Sequence, residues 1–401
     1  MNRSANRALN KLAAVKLTTE QQDLENQIFK FCKDLLAGQE RGVFVVSGDA
    51  GTGKSVVLTS IFNTIQKMSK DKGSIFYKTK NYLLVNHPEM LKLYKNIAAG
   101  CPSLLKKNFE RPTTFINRSY KNQQESDIVL VDEAHLLLTK RDPYNHFKQN
   151  NQLQEILKLS KIVVLVFDEK QVLKGKSYWD RAKLDTLVSS KNVRYYHLTE
   201  QFRVKANEDV KDWIKSLVEK RISAPPAPQK FDLRIMNDAQ EMYELIKQKD
   251  DTVGLSRMLA TYDFPYRLDG KDYFVTAGSF RLRWDRNQPQ AMLPWAERDD
   301  SINEVGSVYT IQGFDLNYAG IILGPSVRYD STHDCVSIHP EIYQDQAAFN
   351  GLAKRRDADE VKERLILNSI DVLLTRARLG MYIYATDTAL RSRLLKGYFK
   401  K

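Results

Sequence analysis

"GVFVVSGDAGTGKSVVLTSIFNTI", Gly42 to Ile65, decides the fold of this chain. Its first seven residues are continuously apolar and rich in valine, as in a parallel strand covered on both faces. Its last part carries Val57, Leu58, Ile61, Phe62 and Ile65, with Met68 beyond, at the spacing of a helix that buries one face. Between them GDAGTGKS, Gly48 to Ser55, fits G-x-x-x-x-G-K-[S/T] in the strand-to-helix setting that a phosphate-binding loop requires. Glycines in such a loop let backbone N–H groups close on phosphates at a helix N-terminus. Gly48, Ala50, Gly51, Thr52 and Gly53 are the candidate cradle, Lys54 a point charge for the β and γ phosphates, and Ser55 a hydroxyl for Mg²⁺.

Working outward, DIVLVDE (127–133), KIVVLVFDE (161–169) and NVRYYHL (192–198) are short, valine- and isoleucine-rich runs separated by helical patterns. That alternation predicts a doubly wound α/β domain. SAPPAPQK breaks it, because Pro225, Pro226 and Pro228 cannot continue a helix and favour an extended linker. The expected domains are therefore residues 1–224 and 225–401. Beyond the break FDLRIM, a helix around Glu241 to Lys249, TVGLSRMLA, AGIIL, a long helix ending near LLTRAR, and MYIYAT repeat the α/β pattern. The stretch from Asp263 to Asp300 follows neither period and reads as an insertion or a β-rich loop.

Composition excludes several classes. With 42% hydrophobic and 28% charged residues in 401, the chain is neither disordered nor fibrous. No apolar run approaches the length that crosses a bilayer, and the opening MNRSANRALNKLAAVKL lacks a secretory core, so no membrane partner and a cytoplasmic location are expected. Three scattered cysteines, Cys32, Cys101 and Cys335, argue for free thiols. Sixty-two Lys and Arg against 49 Asp and Glu leave +13, which favours polyanionic partners, nucleic acid first.

Asp132 and Glu133 follow the run IVLV, so both carboxylates emerge at the carboxyl end of a parallel strand, where ligands of open sheets bind. There Asp132 would hold Mg²⁺ through water and Glu133 would activate an attacking water. Arg376 and Arg378 in LLTRAR stand one residue apart. Two such guanidiniums either grip an anion or are solvated separately on a helix face.

With GDAGTGKS and DEAH in place, the sequence resembles the superfamily 1 helicases, and further motifs occur in the same order. LTTEQ, ending at Gln21, looks like the adenine-reading glutamine motif. VFDEKQ resembles the third motif, which implies a γ-phosphate-sensing Gln171 with Asp168 beside it. LTEQFR resembles the fourth and implies Arg203 as a γ-phosphate contact. TIQGFD resembles the fifth, with Gln312 and Gly313 near phosphate or nucleic acid and Asp315 in the place of a ribose-contacting acid. LLTRAR resembles the sixth, which implies Arg376 as an arginine finger and Arg378 as its helper. More narrowly, IQGFDLNYAGIILG, QFR and LLTRARLGMYIY look like the Schlafen group 3-like DNA/RNA helicase family, a set of bacterial proteins often described only as ATP-binding. That resemblance spans roughly Thr18 to Asp387. It implies two RecA-like domains with ATP and Mg²⁺ in the cleft between them, ATP hydrolysis, and movement on single-stranded DNA or RNA. The large subdomains inserted in well-studied unwinding helicases are not matched here, where the space between motifs is modest.

For nucleic acid, aromatic residues interleaved with basic ones mark Phe76, Tyr77, Lys78 and Lys80, and Arg281, Arg283, Trp284 and Trp295. Buried tryptophans and tyrosines serving the core read equally well. His333, Cys335 and His339 match no zinc spacing. A second functional class remains open, a nucleotide-dependent switch gating a partner protein such as a nuclease or other defence subunit in phage defence.

Overall fold

The computed structural model describes residues 17–48, 52–189, 191–199, 208–227, 230–267, 269–285, 290–353 and 355–398. The chain divides into two compact units, Met1–Val172 with Lys176–Gln201, and Leu173–Gly175 with Phe202–Lys401. This division precedes the proline-rich stretch at which the sequence places the boundary. The reason is the helix Glu208–Val218, whose stripe of Val210, Trp213, Ile214 and Leu217 is buried and which packs on the helix Ala358–Leu374 of the second unit. The Trp213 indole also donates to the carbonyl of Ser223 at 3.1 Å, tying the start of the proline-rich stretch to the same unit.

The first unit is built on six strands: β1 (Gly42–Gly48), β2 (Asn81–Val85), β3 (Phe109–Glu110), β4 (Ser126–Asp132), β5 (Ser160–Phe167) and β6 (Asn192–Leu198). They lie in the order β3-β2-β4-β5-β1-β6, and every pair is parallel. Val43 to Val46, Ile128 to Val131 and Ile162 to Leu165 are buried, as continuous apolar runs require when helices cover both faces. β6, at the edge, is mostly open to solvent and leaves Arg194 and Tyr195 exposed, with Leu198 its buried residue. The helix Lys54–Met68 buries Val57, Leu58, Ile61, Phe62 and Ile65. Because β5 lies between β1 and β4, the loops after all three strands gather along one sheet edge.

The second unit holds β7 (Asp232–Ile235), β8 (Ser256–Ala260), β9 (Phe274–Ala277), β10 (Phe280–Trp284), β11 (Glu304–Gly306), β12 (Leu316–Leu323) and β15 (Ala377–Ala385). Their order is β7-β15-β12-β8-β11-β10-β9, parallel except for the β9/β10 hairpin. A separate antiparallel pair is formed by β13 (Val327–Asp330) and β14 (Cys335–Ile338). The doubly wound α/β expectation thus holds for both units, and the unassigned stretch after Asp263 supplies the hairpin. β15 begins at Ala377 rather than at Met381, since Ala377 already pairs with Leu316.

Burial corrects part of the nucleic-acid expectation. Phe76 is inaccessible and packs edge-on against Phe29, with ring centres 6.5 Å apart. Trp284 stacks on Tyr262 at 5.4 Å inside the second core, and buried Trp295 donates to Glu304 at 2.8 Å. These rings serve packing, leaving no face for a base. Tyr77 and Arg283 are half-buried, while Lys78, Lys80 and Arg281 are exposed. His333 pairs with Asp330 and His339 with Glu341 around the β13/β14 hairpin. No helix among the described residues is long and apolar enough to cross a membrane.

Candidate functional site

The site in the first unit is assembled from the loop after β1 outward. Gly53 opens the helix Lys54–Met68 at φ 77°, in the left-handed region that favours glycine, and a Cβ there would lie 2.5 Å from the Gln21 amide nitrogen. Glycine is therefore required twice over, by backbone angle and by the buried Gln21 above it. Gln21 closes a capping box with Thr18 at the start of the helix Thr19–Gly38 and donates through Nε2 to the carbonyl of Thr52 at 3.2 Å. Its amide braces the phosphate loop, a contact the adenine-reading expectation does not include. Ala50, Gly51 and Arg203 lie outside the described residues.

Lys54, 9% exposed, donates through Nζ to the carbonyl of Gly48 at 2.6 Å and to Asp168 Oδ2 at 3.3 Å. Gln171 donates to that same Oδ2 at 2.6 Å. Asp168 also caps the short turn Glu169–Gln171 that carries the glutamine. One carboxylate oxygen after β5 thus joins the loop lysine to the glutamine of VFDEKQ.

Asp132, fully buried at the end of β4, accepts from Tyr94 Oη, from the Ser55 side chain and, at 3.0 Å, from the backbone N–H of Glu133. Burial, followed by the neighbouring Glu133 charge, pushes the Asp132 carboxyl up to about 6. Burial alone would raise Glu133 as well. His135, 3.0 Å from its Oε2, outweighs that together with Lys54 and His87 and holds Glu133 down at about 2. Glu133 adopts φ 50°, uncommon for a residue with a side chain.

Mg²⁺ prefers oxygen ligands and keeps several waters or phosphates. The residues present fit it, since the Ser55 hydroxyl and an Asp132 oxygen already meet in one hydrogen bond. Sequence reasoning missed Tyr94, His87 and the part played by His135. Tyr94 falls on the apolar face of the helix Pro88–Gly100 and reads as core. His135 is the last letter of DEAH, and only its buried contact shows what it holds.

In the second unit the fifth- and sixth-motif residues meet at the start of two paired strands. The N–H of Leu316, next to Asp315, donates to the carbonyl of Arg376 at 3.0 Å. Gln312 ends the single-turn helix Val308–Ile311, and Gly313 follows at φ 86°. Asp285, at the end of β10, accepts from the N–H and the hydroxyl of Ser307 at 3.2 and 3.1 Å and so anchors that turn. Arg376 is fully buried, donating through Nε to the carbonyl of Val372 at 2.7 Å, and Arg378 is half-buried in β15.

The model of the Schlafen group 3, DNA/RNA helicase domain matches residues 41–387. "Uncharacterized protein YPL245W" of Saccharomyces cerevisiae is 46% identical over 420 residues, covering 97% of this chain and 92% of the yeast protein. That relative takes the family beyond bacteria. Among solved structures, the Pif1 helicase from Candida albicans aligns over 95% of this chain and 97% of its own with 11% identity and a TM-score of 0.39. Domain III of the Thermotoga maritima replication initiation protein DnaA aligns over 52% and 74% with 15% identity and a TM-score of 0.29. Both are too distant to bear on function. The family match and the yeast relative together establish that this α/β chain, with its phosphate-binding loop, belongs to the Schlafen group 3 DNA/RNA helicase domain family.

Proposed function

We propose that the protein is an ATPase of superfamily 1 type whose hydrolysis is coupled to single-stranded nucleic acid. The observation that carries this reading is the shared Asp168 oxygen, which places the loop lysine and a glutamine fit to report on a γ-phosphate in one hydrogen-bonded chain. A phosphate reaching Lys54 competes with Asp168 for the ammonium and so disturbs Gln171. The loop N–H groups and Lys54 bind the triphosphate. Ser55 and Asp132 hold Mg²⁺, which when bound offsets charge on the phosphate oxygens. Glu133, kept ionised, orients and deprotonates the attacking water, with His135 fixing its carboxylate. Arg376 acts on the charge that develops at the γ-phosphate, with Arg378 as its helper and Arg203 as a further contact. Gln312 and Gly313 are assigned to phosphate or nucleic acid, and Asp315 to a ribose.

The test is steady-state ATP hydrolysis with and without single-stranded DNA and RNA, with Lys54→Ala as the blank. Strong stimulation by one polymer supports the motor reading and names its track. Activity indifferent to both removes nucleic-acid coupling and turns the search to a gated partner protein.

A further inference from the structure

The resemblance gives Gln21 to the adenine base, whereas the surroundings of its amide direct it to the phosphate loop. The amide is engaged at both ends. Its carbonyl oxygen accepts from the backbone N–H of Thr18 at 3.2 Å, and its Nε2 donates to the carbonyl of Thr52 at 3.2 Å. The residue is 4% exposed. A Cβ on Gly53 would approach that same nitrogen to 2.5 Å, so the amide rests directly on the loop backbone ahead of Lys54.

A brace acts only if its far end is held. Gln21 occupies the first turn of the helix Thr19–Gly38, whose Leu24, Ile28, Phe31, Cys32 and Leu35 are buried. The adjacent Glu20 accepts from the N–H and the hydroxyl of Thr199 at 2.9 and 2.8 Å, just beyond β6. Tyr196 of β6 donates to the Glu20 carbonyl at 3.2 Å and to Asp23 at 2.9 Å. β6 in turn pairs with β1 along its whole length, up to Gly48 opposite Leu198. The start of the helix and the strand that feeds the loop are therefore held in one frame, and Gln21 reaches from that frame to Thr52.

Reading adenine asks for a different geometry. A glutamine does so by donating an N–H to a ring nitrogen while its carbonyl oxygen accepts from the exocyclic amine, both bonds lying along one edge of the base. To present that edge Gln21 would have to leave Thr52 and Thr18, breaking two hydrogen bonds and the capping box that starts its helix. Held as it is, the amide shapes the loop whichever base stands beyond it.

We infer that, within the nucleotide site proposed for this unit, Gln21 is a positioning residue for the phosphate loop and takes no part in choosing the base. The part of the ligand it serves is the triphosphate, which all nucleoside triphosphates share. Loss of its donor loosens the loop N–H groups that close on phosphate and weakens every triphosphate by the same factor. A glutamine that reads the base behaves in the opposite way. A polar contact built to a substrate group rejects analogues lacking that group by orders of magnitude, and this selectivity disappears with the side chain.

The experiment is calorimetric titration of the full-length protein, with Mg²⁺ and without nucleic acid, using the β,γ-imido analogues of ATP and GTP and inorganic tripolyphosphate, which has no base. Gln21→Met keeps the length of the side chain and removes its donor. In that variant all three dissociation constants should rise together, by about fivefold for one lost hydrogen bond, at an unchanged ratio of the ATP to the GTP analogue. Thr18→Ala removes the hydroxyl that accepts from the Gln21 N–H at 3.3 Å and leaves the Thr52 contact in place. It should lower the melting temperature with all three constants unchanged, which separates a weakened helix from a loosened loop. A loss confined to the ATP analogue, with tripolyphosphate unaffected, overturns the inference and returns Gln21 to the base. Unchanged affinity for all three ligands in Gln21→Met overturns it as well. A wild type that binds the analogues and does not hydrolyse ATP leaves the inference standing and removes the ATPase reading, whereas a wild type that binds none of the three removes both.

Discussion

The two units handle their functional charges differently. In the first, Lys54, Asp168 and Gln171 form one contact chain, and Ser55, Tyr94 and Asp132 another, each link made through a side-chain head group. In the second, Arg376 is turned into its own helix, donating to the carbonyl of Val372 and, at 3.4 Å, to the Thr375 hydroxyl. The first arrangement separates chemistry from architecture, because the Lys54 head group can be removed without disturbing a helix end. The second joins them, since the guanidinium proposed for catalysis also satisfies the last turn of the helix Ala358–Leu374.

The sharpest way to break this contrast is Arg376→Ala. We expect turnover to fall by about three orders of magnitude or more, the range of an arginine that meets transition-state charge, and the melting temperature to fall with it. Lys54→Ala should lose turnover with a smaller fall in melting temperature, because Gln171 still donates to the Asp168 carboxylate left behind. Hydrolysis, ADP titration and thermal melting on both variants decide the matter, and a normal rate in Arg376→Ala would take that residue out of the site altogether.

A smaller effect is expected at Tyr94. Tyr94→Phe keeps the ring stacked on Phe109, at 5.8 Å, and removes only the hydroxyl that meets Asp132. Losing one such bond, worth roughly 1 kcal/mol, should raise the Mg²⁺ needed for half-maximal hydrolysis several-fold at nearly constant melting temperature. An unchanged Mg²⁺ requirement would confine Tyr94 to packing.

A prediction on stability alone, with no change in turnover, concerns Asp285, the second unit's counterpart as a buried anchoring acid. Burial pushes its carboxyl from 3.8 up to about 6. The folded protein therefore binds this proton more tightly than the unfolded chain. Its contribution is fully present below about pH 4 and is lost as pH rises through 6. Melting curves of the wild type minus those of Asp285→Asn should carry that slope between pH 4 and 6. A difference that does not vary with pH would show that the carboxyl does not titrate there.

Much of this arrangement is legible in the residues. GVFVVSG and NVRYYHL coincide with β1 and β6 because Arg41 and the glycine-rich loop bound the first, and Lys191 and the polar segment after Leu198 bound the second. The meeting of Asp168 with both Lys54 and Gln171 follows from β5 lying beside β1, a neighbour relation that no local pattern encodes. Tyr94 and Phe76 show opposite failures of one rule. Tyr94 sits at an apolar position and gives its hydroxyl to the site, whereas Phe76 stands among lysines and turns into the core. Side-chain direction at such positions is settled by tertiary packing. Asp285 falls in the stretch whose mixed composition masks a hairpin, so its hold on the turn before Gln312 has no signal in the sequence.

The all-parallel sheet of the first unit also governs how that unit is reached from the unfolded chain. Gly42 on β1 must find Ile162 and Asn192, partners more than a hundred residues away, and β4 must bridge to both β2 and β5. The second unit has the β9/β10 and β13/β14 hairpins, which close over a few residues and form early. Pairing between distant segments carries a loop-closure entropy before any contact stabilises it, a cost the second unit shares where Asp232 on β7 meets Gly380 on β15, but the first unit has no hairpin among its named strands to form ahead of that search. Its long apolar strands stay exposed for longest, and aggregation during expression should begin there.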